Sequence, residues 1–275
     1  MATPLSSPKH VRGHRPEPLF WPLLKISQRR PAAGAPENTF PLFGLALQEG
    51  AEGIAIDVHL SADGVPVVIG DARFSLIPSR IGPMQKHQVN PLLDFDAGVR
   101  SNRQIPSPAR RQHAPMTARL LSEVFRWVRE QRCMVFVVLD NPAPGTEAKI
   151  LKEINRAKVR HLTRVIAGNM PGLRRLRQLD ADVHLGLRFA VRPPPISHAK
   201  ALGAEVLLPH WEAVSDSFIR RAHRAAMLVI PWTVDSPRQM RRTILNGVDG
   251  IITNYPAKLT ETAARLQKTR RSLTS

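Results

Sequence analysis

Three carboxylates stand in or just after apolar, β-rich runs of the chain. Asp57 lies within residues 53–59, Asp71 follows residues 65–69, and Asp140 follows residues 134–139. Carboxylate oxygens are the ligands that hard dications take, and Ca²⁺ takes about six to eight oxygens. Gathered at one end of a sheet, Asp57, Asp71 and Asp140 form a candidate metal cluster; taken singly, Asp71 caps a loop and Asp140 starts one. The side-chain alternation of a strand puts Asp57 and His59 on one side. His210, directly after Pro209 at the end of another β-rich run, is the best-placed stray proton carrier, with a satisfied structural histidine as the alternative. Arg29 carries a guanidinium, which can grip an anion through two parallel N–H bonds; the alternative is a surface arginine in an arginine-rich chain. Trp232 presents an aromatic face that either stacks on a ligand or packs its own strand.

These groups need a frame, and the patterning supplies one. Short β-rich runs fall at residues 23–27, 53–59, 134–139, 164–167, 183–187, 205–208, 227–231 and 250–253. A further run at 65–69 follows the Asp63-Gly64 turn and reads as a hairpin partner of the second strand. Helical patterns fill the gaps at 38–49, 120–131, 145–158, 171–179, 215–225, 237–246 and 257–268, the first with Asn38 or Thr39 placed to cap it. Alternating strands and helices predict an α/β fold with parallel strands joined by helical crossovers. Eight such units in 275 residues predict a (β/α)₈ TIM barrel. Residues 72–117, rich in Pro, Arg and Gln, break the alternation and form an insertion after the second strand, expected over the C-terminal face where such barrels build their sites. Residues 1–20 read as a loose, disordered arm, leaving 21–275 as the barrel.

With 43% apolar residues the chain can bury a sizeable core. Its 40 Lys+Arg against 22 Asp+Glu give a formal net charge of +18, which attracts anions: phosphate esters, acidic lipid surfaces or polyanions. No aromatic-interleaved basic motif or zinc pattern points to sequence-specific nucleic-acid binding. The lone Cys133 excludes an internal disulfide and reads as a buried, inert thiol. No apolar stretch is long enough for a signal peptide or a transmembrane span, so the expected location is the cytoplasm.

Three segments in order carry a family resemblance. The first is Gln28-Arg29-Arg30 followed by Ala35-Pro36-Glu37-Asn38-Thr39. The second runs from Ile54-Ala55-Ile56-Asp57-Val58-His59 through Asp63-Gly64 to Gly70-Asp71. The third is Pro231-Trp232-Thr233-Val234-Asp235 with Gly247-Val248-Asp249-Gly250-Ile251-Ile252-Thr253-Asn254-Tyr255-Pro256. Leu93-Asp94-Phe95-Asp96-Ala97-Gly98 and Leu121-Ser122-Glu123-Val124 echo the insertion. Together they resemble the glycerophosphodiester phosphodiesterase family, a TIM barrel of the phospholipase-C-like type.

That resemblance implies hydrolysis of a glycerophosphodiester to an alcohol and sn-glycerol 3-phosphate, a step of lipid metabolism. It implies Ca²⁺ or Mg²⁺ held by three acidic residues, and two histidines that move protons. It also assigns phosphate contact to Arg29, turn positions facing substrate to Glu37 and Asn38, and a place at the barrel mouth to Trp232. The chain departs from the pattern where the chemistry is done. The two histidine positions hold Gln28 and Gly70, the first metal Glu is Ala55 beside Asp57, and the third acidic position falls on Val138. Gln does not titrate and Gly has no side chain.

The leading expectation is therefore a pseudoenzyme that keeps the barrel and a phosphate-binding mouth. The runner-up is an active hydrolase with a rebuilt Ca²⁺ or Mg²⁺ site at Asp57, Asp71 and Asp140. A third reading, from another class, is a basic barrel that binds anionic surfaces without chemistry, with affinity that falls steeply as salt rises.

Overall fold

Apolar runs with a two-residue alternation become strands whose two faces are both covered, and that is what the computed structural model shows. It describes residues 23–28, 39–69, 88–89, 118–140, 142–190 and 196–274. In chain order the elements are β1 (Leu24–Ser27), α1 (Phe40–Gln48), β2 (Gly53–Leu60), β3 (Pro66–Val68), β4 (Arg119–Leu120), α2 (Leu121–Gln131) and β5 (Met134–Leu139). There follow α3 (Thr146–Ala157), β6 (Thr163–Ala167), α4 (Met170–Leu179), β7 (Leu185–Phe189), α5 (Ile196–Ala201) and β8 (Ala204–Pro209). The chain ends with α6 (Asp216–Arg224), β9 (Leu228–Val229), α7 (Pro237–Leu245), β10 (Gly250–Thr253) and α8 (Pro256–Thr274).

The parallel strands lie in the order β10-β1-β2-β5-β6-β7-β8-β9. Three backbone bonds join the two ends of that row: Asp249 N–H to Val229 O at 3.0 Å, Ile252 N–H to Pro231 O at 2.9 Å, and Val234 N–H to Ile252 O at 3.0 Å. They complete the ring of a (β/α)₈ TIM barrel. Beside it, β3 pairs antiparallel with β2, as the Asp63-Gly64 turn predicts, and the short β4, which the patterning did not show, pairs antiparallel with β3. The insertion thus leaves from β3 and returns at β4; apart from residues 88–89 it lies outside the described residues, as do residues 1–20.

Several boundaries differ from those expected. The seventh barrel strand is regular only over Leu228–Val229, because Pro231 cannot donate to the ladder. The strand expected at 183–187 sits two residues later, over Leu185–Phe189. Helix α5, after the prolines at 193–195, is too short to show a helical period. Thr39 is the N-cap residue of α1, while Asn38 lies outside the described residues. No described helix is long and apolar enough to cross a membrane.

Strand parity sorts the core into two shells. Ile26, Ala55, Phe136, Val138, Ile166, Val206, Leu208, Ile230 and Ile252 fill the barrel interior. The alternate residues, among them Ile56, Val137, Val165 and Leu207, pack outward against the helices. At the N-terminal end of the barrel Glu205 hydrogen-bonds His184 Nδ1 at 2.9 Å and pairs with Arg164 Nε at 3.6 Å. In these barrels that end serves stability rather than catalysis.

Cys133, just before β5, is 6% exposed, and burial pushes its thiol up to about 11. At neutral pH it stays protonated and screened from reagents. Labelling with a disulfide reagent at pH 8 is expected to be slow in the native protein and to become fast only in denaturant. A native rate equal to the unfolded one would contradict the buried placement.

Candidate functional site

The site is built where β5, β6 and β7 end. Their register aligns Leu139 with Ala167 and Ala167 with Leu187, so the next residues, Asp140, Gly168 and Arg188, fall in one row. Adjacent strands lie about 4.8 Å apart, so a contact from β5 to β7 spans about 10 Å and needs a long side chain over a bare middle strand. Both conditions are met. Arg188 Nη1 donates to Asp140 Oδ2. A Cβ at Gly168 would stand 2.6 Å from Asp140 Oδ1, so only glycine lets the carboxylate lie there.

Trp232 holds the other side of Arg188. Its indole N–H donates to Leu208 O at 2.9 Å, which fixes the ring against the inner core. The Arg188 guanidinium carbon lies 3.6 Å from the centroid of that ring, a cation–π contact worth about 0.5–2 kcal/mol. His210 meets the same ring edge-on, with centroids 5.4 Å apart, and lies 3.5 Å from the Glu212 carboxylate. The Arg188 side chain is only 14% exposed, against 47% for Asp140. Trp232 therefore does two things: it packs the segment after β9 against β8 and the barrel interior, and it turns one face to a guanidinium.

On the opposite side of the ring Gln28 continues β1, its N–H bonded to Thr253 O at 2.8 Å. Its side-chain carbonyl accepts the Thr233 hydroxyl. Asp57 is buried on β2, directly across from Val138, and Ala55 lies across from Phe136. Ala55 and Val138, where the resemblance calls for acidic ligands, belong to the apolar interior. Asp235 accepts Asn254 N–H at 2.9 Å and Asn254 Nδ2 at 2.7 Å, so this part of the third motif ties the segment before α7 to the one that follows β10.

Among the candidate residues, then, Asp140 and Trp232 meet through Arg188, and Asp57 sits one strand away on β2. Arg29, Glu37, Asn38, Gly70 and Asp71 lie outside the described residues. Among the described residues no group of three His, Cys, Asp or Glu is placed to hold a metal ion. The sequence reading missed Arg188 because it ended that strand at residue 187. The alternation in Leu185-Gly186-Leu187-Arg188-Phe189, extended two residues, turns Arg188 to the side of Gly186. Thr233, between two better-known motif residues, carried no signal of its own.

Comparison with known proteins gives the frame a name. The model of the glycerophosphoryl diester phosphodiesterase family matches residues 27–258. A glycerophosphodiester phosphodiesterase of Caldanaerobacter subterraneus subsp. tengcongensis is 27% identical over 240 residues, covering 86% of this chain and 96% of the relative. A glycerophosphodiester phosphodiesterase structure from Parabacteroides distasonis superposes with a TM-score of 0.74 at 20% identity, over 89% of this chain and 98% of that one. A phosphodiesterase from Oleispira antarctica, solved in complex with the product sn-glycerol-3-phosphate, also reaches 0.74 at 22% identity, over 88% and 97%. With more than half its length matched in the order its motifs require, the chain belongs to the glycerophosphoryl diester phosphodiesterase family.

Proposed function

We propose that this member of the family does not hydrolyse phosphodiesters and instead binds a phosphate-bearing ligand at the C-terminal mouth of its barrel. One observation carries the reading: among the described residues, Gln28 and Asp140 are bonded in arrangements that do not supply the chemistry. Hydrolysis of a glycerophosphodiester needs a cation against the phosphate and a titratable pair to move protons. At the first proton-carrier position the Gln28 amide accepts a hydroxyl from Thr233 and has no titratable proton.

The dication that the resemblance implies, Ca²⁺ or Mg²⁺, does not fit the donors present among the described residues. Among the described residues, the positions in question hold the methyl groups of Ala55 and Val138 in the apolar interior, the buried Asp57 carboxylate, and an Asp140 carboxylate already bonded to a guanidinium. A hard dication asks for several carboxylate or carbonyl oxygens free to turn toward it. Two features support ligand binding without turnover. Arg29 stands at the position of the family's phosphate-contacting arginine, and the Oleispira relative binds sn-glycerol-3-phosphate as its product. The +18 charge raises the local concentration of anions whatever the site does.

The test is direct. Purified protein incubated with glycerophosphocholine and Ca²⁺, Mg²⁺ or Mn²⁺ is expected to release no sn-glycerol 3-phosphate above the buffer rate. In parallel, calorimetry is expected to show sn-glycerol 3-phosphate binding, weakened at least about tenfold in Arg29→Ala. Turnover that Asp57→Ala abolishes would refute the reading and restore the active, rebuilt-site hydrolase.

A further inference from the structure

We infer that Arg188 is the resident cation of the barrel mouth and that it keeps divalent ions away from Asp140. The inference rests on the placement of the ligand site at this mouth, and it explains how the mouth holds its charges in balance. Asp140 ends β5 in the row that Gly168 and Arg188 continue, and the bare α-carbon of Gly168 is what lets carboxylate and guanidinium meet across β6. Trp232, itself pinned by its bond to Leu208 O, covers the guanidinium face at 3.6 Å. Arg188 is therefore held in its plane by a carboxylate and across its face by an indole, with only 14% of its side chain exposed.

A dication reaching Asp140 has to displace a positive charge tethered beside it by two strands. That competitor is present at a high effective concentration and cannot diffuse away. Displacement also costs the guanidinium its bond to this carboxylate, in a site where a charge has little water to turn to. Ala55 and Val138 supply no oxygen in compensation. An anionic ligand entering this mouth thus meets a guanidinium fixed on an aromatic plate, and its binding does not depend on added metal.

The experiment uses the intact chain and metal alone as the probe. Calorimetry and thermal melting with CaCl₂, MgCl₂ or MnCl₂ are expected to give no binding heat and no shift in Tm for the native protein, and a chelator is expected to change nothing. Ala55→Glu, which restores one ligand, is expected to leave the protein metal-free while Arg188 remains. In Ala55→Glu/Arg188→Met the ions are expected to bind at least about tenfold more tightly than in Ala55→Glu alone, since a neighbouring unit charge is removed. Ala55→Glu/Arg188→Lys, which keeps a charge, is expected to gain much less. A native protein that takes up any of these ions overturns the inference. So does a double variant with a native circular dichroism spectrum and no gain in affinity. If the double variant does not fold, the native protein's response to metal decides alone. Metal uptake without turnover sinks this inference and spares the proposed function; metal-independent turnover does the reverse.

Discussion

Replacing Phe136 with alanine is expected to destabilise the protein by about 3–5 kcal/mol, the loss typical of a buried aromatic whose site cannot collapse. Phe136 is 1% exposed and is the bulkiest of the side chains that fill the barrel interior, packed with Ile26, Ala55, Val138 and Ile166. A ring of hydrogen-bonded strands holds the walls of that interior apart. Neighbours on one strand do not move into a void without breaking register with the next, so the deleted ring leaves much of its volume empty. For a domain of this length each kcal/mol lowers Tm by about 2–4 °C, so a fall of about 10 °C is expected. Phe136→Leu, which refills most of the space, is expected to recover more than half of it. Thermal melting checks both, and a Phe136→Ala protein melting within about 2 °C of the native one contradicts a side-chain-filled barrel.

The second large effect is expected at Arg177, late in α4. One guanidinium donates to the carbonyls of Leu202 at 3.1 Å, Val183 at 3.1 Å, Gly203 at 3.1 Å and Asp180 at 3.3 Å, and also to that of Ala181. It thus ties the loop after α4 to the turn between α5 and β8. Five accepting carbonyls match the five N–H donors of the guanidinium, which no other side chain presents in one plane. Arg177→Ala leaves those carbonyls to water or to nothing, at a cost of about 2–4 kcal/mol. Arg177→Lys, with three donors on a single nitrogen, is expected to recover less than half. Gly203 belongs to the same device. It adopts φ +77°, and a Cβ there would stand 2.5 Å from Arg177 Nη2, so Gly203→Ala is expected to cost a similar amount and to be less than additive with Arg177→Ala. Urea unfolding of the two single variants and the double variant measures this. Strict additivity would separate the glycine from the arginine.

How much of this could be read from residues in order varies from feature to feature. The runs Met134–Leu139 and Gly250–Thr253 announce their strands to the residue, because a strand buried on both faces is a short apolar run between breakers. The hairpin after β2 follows from Asp63-Gly64, where a local turn decides the pairing. The vacancies at Gln28, Ala55 and Val138 are equally plain, since a missing carboxylate or imidazole is visible without any fold. The two-residue shift of β7 was not readable. Gly186 and the residues before it fit either frame, and a register shift against β8 at Leu185/Gly186 settles which residues face inward. That small shift moved Arg188 from a loop into the site.

The chain's own order therefore determined the element types, the eightfold alternation, the family and which residues, Gln28, Ala55 and Val138 among them, stand where the resemblance expects acid–base and metal groups. Each of these depends on side chains a few residues apart, or on which atoms a residue possesses. Tertiary structure alone decided that Asp140 is held by Arg188 across Gly168, that Trp232 lies under that guanidinium, and that Gln28 is bonded to Thr233. Residues 48 or 205 positions apart meet only once a closed ring has set which strand lies beside which and in what register. Long polar side chains then take partners by reach and desolvation, and no local spacing encodes either.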